Sequence, residues 1–151
     1  KKLRFITMIP SFKVSTAMAR EVMPSSYSKA DVIFNISRVA MLINAMNNEK
    51  LDKLRVCFGD RIHEPYRKTL IENADLIFEK ARGFGALGEF VSGSGSTLMT
   101  VSDKADANRI KKQMEEFMST IEGNWMVKIL EPDFEGVREL HDFEEFQKAI
   151  G

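Results

Sequence analysis

Five small residues in a row, Ser92-Gly93-Ser94-Gly95-Ser96, stand between the apolar pairs Phe90-Val91 and Leu98-Met99. Glycine at 93 and 95 permits positive φ and lets the backbone approach a neighbour closely. An apolar run enters the stretch and an apolar run leaves it. The chain therefore turns here, and 87–91 and 97–101 are expected to pair as a β-hairpin. Two readings of the turn are open. One is a plain hairpin loop. The other is a concave nest of successive amides, with serine hydroxyls beside them, that cradles an anion such as phosphate.

The rest of the chain is read around that hairpin. Residues 3–9 are rich in strand formers and stop at Pro10. Ser15 and Thr16 supply an N-cap for a short helix over 17–23, ended by Pro24. Ser28, with Asp31 three residues on, opens a longer helix that runs to about 47. Its apolar positions 32, 36, 39, 40 and 43 repeat at helical spacing. Leu51, Leu54, Phe58 and Ile62 are expected on one side of a further helix, with a break or a new start at Pro65. A helix over 73–82 follows, with Gly83 as its C-cap. After the hairpin, Ser102 or Asp103 is expected to cap a helix that turns Ala107, Ile110, Met114, Phe117 and Ile121 inward. Residues 125–130 make the fourth strand, 137–140 a possible fifth, and 143–150 a short last helix. Strand, helices, strand, strand, helix, strand is the split βαβ order of an α+β, ferredoxin-like sandwich, with extra helices in the first crossover.

Composition removes several function classes. The 151 residues suit one domain, and 22 basic side chains balance 22 acidic ones. That balance gives no electrostatic reason to expect nucleic acid or an anionic membrane as partner. The longest apolar region, 32–46, is interrupted by Asn35, Arg38 and Asn44, so no membrane span is expected. A single cysteine, Cys57, excludes an internal disulfide framework and a thiolate zinc cluster. It reads as a small core residue, and the nine methionines read as packing. A cytoplasmic location is the simplest expectation. No metal site is expected. The start at Lys1-Lys2-Leu3, directly before a strand, suggests a domain cut from a longer protein.

Three other stretches bear on chemistry. Gly83-Phe84-Gly85-Ala86-Leu87-Gly88 matches G-x-G-x-x-G, but a helix precedes it and a strand follows, the reverse of a dinucleotide site. Thr16 and Arg20, four apart, share one helix face: either an anion clamp or an ordinary surface arginine. Asp60, His63 and Arg67 concentrate polar groups around Pro65. They read either as a second carboxylate-binding arginine steered by its neighbours or as an ion-paired helix end. His141, beside Asp142, carries no constellation.

Taken together, these segments resemble a known family. Ser15-Thr16-Ala17-Met18-Ala19-Arg20 is similar to the T-x-x-x-R segment of homoserine kinases, and Asp60 through Arg67 to their D-x-x-H-x-x-x-R segment. Asn35, within Phe-Asn-Ile-Ser, fits the same pattern. Phe90 through Thr97 resembles the third, Gly-rich motif of the wider GHMP superfamily of small-molecule kinases, from which it departs at Ser96. The superfamily's nucleotide loop, P-x-x-x-G-L-G-S-S-A, has no counterpart here.

The resemblance implies a GHMP kinase C-terminal domain over 1–140, a C-terminal extension over 141–151, and an N-terminal ATP-binding domain that this sequence lacks. It implies that the whole enzyme transfers the γ-phosphoryl of ATP, with Mg2+, to the side-chain hydroxyl of L-homoserine in threonine biosynthesis. Thr16, Arg20 and Arg67 would bind the substrate, the two guanidiniums on its carboxylate. Ser92, Gly93, Ser94 and Gly95 would support the phosphate site, and Asp60 and His63 would orient Arg67. Catalytic residues proper, and most ATP and Mg2+ contacts, would lie in the N-terminal domain, so this chain alone is expected to be inactive. Partners would be homoserine, that N-terminal domain and, through the apolar surface it leaves open, a second copy in a homodimer. Two alternatives stand beside this: another GHMP kinase domain, or a non-catalytic amino-acid-binding or interaction module on the same fold.

Overall fold

The computed structural model describes residues 2–137 and 139. Four strands, β1 (Leu3–Ile9), β2 (Gly88–Val91), β3 (Leu98–Asp103) and β4 (Met126–Leu130), form one antiparallel sheet in the order β2-β3-β1-β4. That is the strand order of a ferredoxin-like sandwich, as the element sequence predicts. Among the described residues the α-helical segments are α1 (Thr16–Glu21), α2 (Lys29–Asn47), the single turn α3 (Glu64–Arg67), α4 (Ala74–Gly83) and α5 (Ala107–Met118). Two 3-10 turns, at Leu51–Val56 and Lys68–Leu70, complete the first crossover.

Strand alternation sorts the sheet's residues onto two faces. Ile6 and Met8 of β1, with Leu98 of β3, point toward α4 and α5 and join Ile77, Ile110 and Met114 in the main core. Phe5 lies opposite Val101 and Leu130 on the other face. There the cover is smaller: Leu54, Cys57 and Ala45 form a second cluster, flanked by Leu3, Leu42 and Phe58.

Several local expectations need correction. The segment 51–62 is not one helix. Its 3-10 turn ends at Val56, and Gly59, at φ 118°, takes the chain out of helical conformation, so Phe58 and Ile62 lie in a loop. Gly83 is the last residue of α4 and not its cap; Phe84 follows it, and Gly85 takes the left-handed conformation at φ 102°. Ser102 and Asp103 belong to β3, which stays paired as far as Leu3 opposite Asp103, so Asp106 is the N-cap of α5. Only Met8, Met114 and Met118 are buried among the methionines, while Met18, Met41, Met46 and Met126 are exposed. Cys57 is buried as expected, its thiol donating to the Lys53 carbonyl. Of the suggested fifth strand, Val137 and Glu139 are described and neither is in a strand. The suggested helix over 143–150 and His141 lie outside the described residues.

Candidate functional site

The site is built from α3 upward. Asp60 precedes α3, and its Oδ1 accepts hydrogen bonds from the backbone N–H groups of Ile62, His63 and Glu64 at 2.8, 2.6 and 2.9 Å. These are the orphan donors at the start of a helix. Its other oxygen accepts from Asn35 Nδ2 at 2.7 Å, and Asn35 Oδ1 in turn accepts from the Arg61 N–H at 2.9 Å. The Asn35–Asp60 pair thus ties α2 to the loop that starts α3. Burial alone would raise the Asp60 carboxyl, but the His63 and Glu64 amides, Asn35 and His63 more than offset it and hold it below its ordinary value. His63 Nε2 sits 3.3 Å from Asp60 Oδ2. Asp60 therefore holds the first turn of α3 and the His63 ring.

Pro65 occupies the first turn of α3, where its missing N–H costs nothing. The turn projects two side chains, three residues apart, toward the hairpin. Arg67 Nη1 donates to the Gly93 carbonyl at 2.7 Å. Glu64, which is buried, accepts the Val91 N–H at 2.8 Å through Oε1. Burial, with help from the negative charges of Asp60 and Glu89, raises the Glu64 carboxyl to about 7 against the opposing pull of the Val91 amide and Lys68. Sequence reasoning missed Glu64 and saw only a break or a new start at Pro65. The available signal was the i, i+3 spacing of Glu64 and Arg67, which places both on one side of a helical turn.

The Gly-rich turn has the geometry its composition suggests. Gly93 and Gly95 lie at φ 57° and 86°, and the Gly95–Ser96 peptide is cis. Ser92 N–H donates to Thr97 O at 2.9 Å, and Gly95 N–H to Ser92 O at 3.0 Å. A Cβ on Gly95 would also meet Ile71 Cδ1 at 2.9 Å. Ser96, where the sequence departs from the family motif, is buried, and its hydroxyl donates to the Phe12 carbonyl at 2.8 Å. That bond ties the turn to the segment leading into α1.

The structure brings Arg67 together with Gly93, and Asp60 together with His63. It does not join Thr16 or Arg20 to them. Both lie on α1, whose N-cap Ser15 accepts from the Met18 N–H, and both are exposed. Neither makes a hydrogen bond or ion pair with Arg67 among the described residues. α1 is nonetheless bracketed by the site: Ser96 holds the chain before it, and Tyr27, after it, packs edge-on against Tyr66 of α3 with ring centroids 6.5 Å apart.

Beside α3 a cleft of about 360 Å³ opens between α2 and the sheet. Asp60, His63, Glu64 and Glu89 form its polar wall, Asn35 and Arg38 contribute from α2, and Phe58 and Phe90 form an aromatic floor. The two floor rings stack at 6.0 Å, 13° from parallel. Among the described residues no group of three His, Cys, Asp or Glu side chains is arranged to hold a metal ion, and no helix is long and apolar enough to cross a membrane.

Residues 37–120 match the family described as GHMP kinases C terminal. A homoserine kinase of Clostridium kluyveri is 54% identical over 138 residues, covering 91% of this chain and 46% of the relative. One from Persephonella marina is 39% identical over 134 residues, covering 89% and 44%. The chain therefore spans about half the length of the curated relatives it matches. Among solved structures, a homoserine kinase from Cytophaga hutchinsonii superposes with a TM-score of 0.80 at 25% identity, over 85% of this chain and 41% of that one. A mevalonate kinase from L. major superposes with a TM-score of 0.62 at 14% identity, over 87% and 44%, a likeness of fold alone.

Proposed function

The chain belongs to the GHMP kinase C-terminal family, and from that premise we propose that it is the acceptor-binding half of a homoserine kinase. In this reading the whole enzyme moves the γ-phosphoryl group of ATP to the side-chain hydroxyl of L-homoserine. A bond from that oxygen to phosphorus forms, the bond from phosphorus to the ADP oxygen breaks, and the hydroxyl proton passes to solvent. Such transfers depend mainly on positioning and on stabilising charge around phosphorus. The nucleotide and its Mg2+ are assigned to an N-terminal half, because the nucleotide loop is absent from this sequence.

The observation that carries the reading is the bond from Arg67 to the Gly93 carbonyl at 2.7 Å. It joins two family motifs that are 26 residues apart in sequence. In the proposed site Arg67 and Arg20 hold the amino-acid carboxylate, Thr16 adds a hydroxyl beside it, and residues 92–95 face the phosphoryl group. Arg67 keeps donor capacity for this, since one guanidinium nitrogen binds Gly93 and a guanidinium carries five N–H donors. The N-terminal half is also proposed to cover the exposed apolar side of α2; a homodimer is the competing use of that surface.

The test is steady-state kinetics on the full-length protein with L-homoserine and other alcohols as acceptors. Arg67→Met and Arg20→Met are expected to raise KM for homoserine by about tenfold to a hundredfold, the scale of a lost charge-assisted bond to a carboxylate. A preference for an acceptor without a carboxylate would assign the protein to another branch of the family. Homoserine or threonine binding to the isolated chain, seen by calorimetry without nucleotide, would favour an amino-acid-binding module.

A further inference from the structure

We propose that Glu64 is a positioning residue that sets the Gly-rich turn from α3, acting with Arg67 as a two-point clamp. β2 is one of the two edge strands of the sheet. Val91, its last residue, stands opposite Leu98, and the next residue, Ser92, gives its N–H to Thr97. In an antiparallel pair successive N–H groups alternate in direction. The Val91 N–H therefore points away from β3, to the open edge, where Glu64 Oε1 takes it at 2.8 Å. One helical turn along α3, Arg67 takes the Gly93 carbonyl. The two grips fall two residues apart on the hairpin and three residues apart on α3.

The consequence is mechanical. Gly93 and Gly95 have wide conformational freedom; the Ser92–Thr97 and Gly95–Ser92 bonds hold the turn to its own hairpin, and Ser96 ties its far end to Phe12 before α1. Glu64 and Arg67 refer it to α3, and α3 is itself held by the three amides on Asp60 and by Asn35 of α2. A buried carboxyl is a costly way to satisfy one edge amide, since burial opposes its charge. Its place one turn from Arg67 gives it a use beyond satisfying that amide. The inference rests on the proposed role of the turn at the phosphoryl group.

The experiment is amide hydrogen exchange by NMR on this chain, read at Gly95, whose N–H closes the turn on Ser92. Glu64→Asp keeps the charge but is one methylene too short to reach Val91. It is expected to speed Gly95 exchange by about tenfold or more, as is Arg67→Met. Glu64→Gln keeps an acceptor oxygen at the same reach and is expected to stay within about threefold of the native rate. If Glu64→Asp lowers global stability while Gly95 exchange follows only that global opening, Glu64 is a structural residue and the proposal falls. It falls equally if Gln loosens the turn as much as Asp. In the full-length protein kcat should drop in the Asp variant and recover in the Gln variant. Should the native protein fail to phosphorylate homoserine, the functional reading fails while the exchange result still decides the clamp.

Discussion

α5 and α2 both carry a row of apolar residues at helical spacing, and the two rows finish in different surroundings. On α5, Ala107, Ile110, Met114 and Met118 recur at helical spacing and are all buried against the sheet. On α2, Val32, Ile36, Val39 and Ile43 recur at the same spacing, yet Ile36 and Ile43 are 65% and 56% exposed. Only Ala45 of α2 is buried, against Leu54 and Cys57. Ala45 and Leu42 lie about 100° or more around the helix from the Ile36–Ile43 line. α2 thus touches its own domain with one side and presents its apolar stripe on another. Spacing shows that a face is suited to burial, but not what will bury it. The two faces of the sheet repeat the contrast: one is sealed by α4 and α5, the other is covered at one end and open at the cleft.

The largest effect expected from this contrast is in the sealed layer. Ile110→Ala or Met114→Ala removes a side chain with no exposed surface and should cost about 2–5 kcal/mol in denaturant unfolding. The same change at Ile36 should cost no more than about 0.5 kcal/mol in the isolated chain. Comparable losses at both sites would mean that α2 is packed in a way the structure lacks.

Next comes Glu64, at the border between the covered and open parts. Its carboxyl is raised from about 4.5 in the unfolded chain to about 7 in the fold. The folded state therefore binds the proton more tightly. The resulting stabilisation is fully present below pH 4.5 and is lost as pH rises through 7. Glu64→Gln should leave stability nearly unchanged at pH 4 and raise it by about 2–3 kcal/mol at pH 8. Asp60 has the opposite sign. Its lowered pKa gives stability that is present above 3.8 and lost as pH falls further. Unfolding curves from pH 3 to 8 separate the two windows, and a Gln variant no more stable than native at pH 8 would contradict the burial argument.

A third effect tests the covered end of the open face. A Cβ on Gly88 would lie 1.9 Å from Phe58 Cδ2, inside the ring's contact distance. Gly88→Ala must displace Phe58 from its stack on Phe90, at a cost of about 1–3 kcal/mol. Near-UV circular dichroism and unfolding should change together. If stability holds, the aromatic floor is softer than its stacking implies.

These sites also show where the sequence could be read. β1 was legible to the residue because Pro10 ends it, and the hairpin because glycines and serines interrupt two apolar runs. Asp60 and His63 were legible as a pair, since their i, i+3 spacing lies wholly before Pro65. Glu64 was not: its i, i+3 spacing from Arg67 puts the two on one side of a turn, but nothing nearby marks the strand amide 27 residues away that it binds. The exposure of Ile36 was hidden for a related reason. Helical period depends on the segment itself, whereas burial depends on whatever packs against it. Thr16 and Arg20 show the limit of spacing: it puts them on one face of α1 but gives no partner for that face.

The smallest effect on stability is the sharpest test of the open side. Ile36→Lys with Ile43→Lys puts two charges in the middle of the α2 stripe. In the isolated chain the replaced side chains already meet water, so unfolding free energy should move by no more than about 0.5 kcal/mol. Association should respond instead. Apolar side chains in contiguous exposed rows favour burial against another surface, so the native chain is expected to sediment with a dimer fraction that grows with concentration, and the double variant as a monomer. In the proposed two-domain enzyme the same pair should destabilise markedly if the N-terminal half covers α2, because two charges would then be buried without partners. A full-length variant as stable as native would leave a second copy, and not the N-terminal half, as the cover for the stripe.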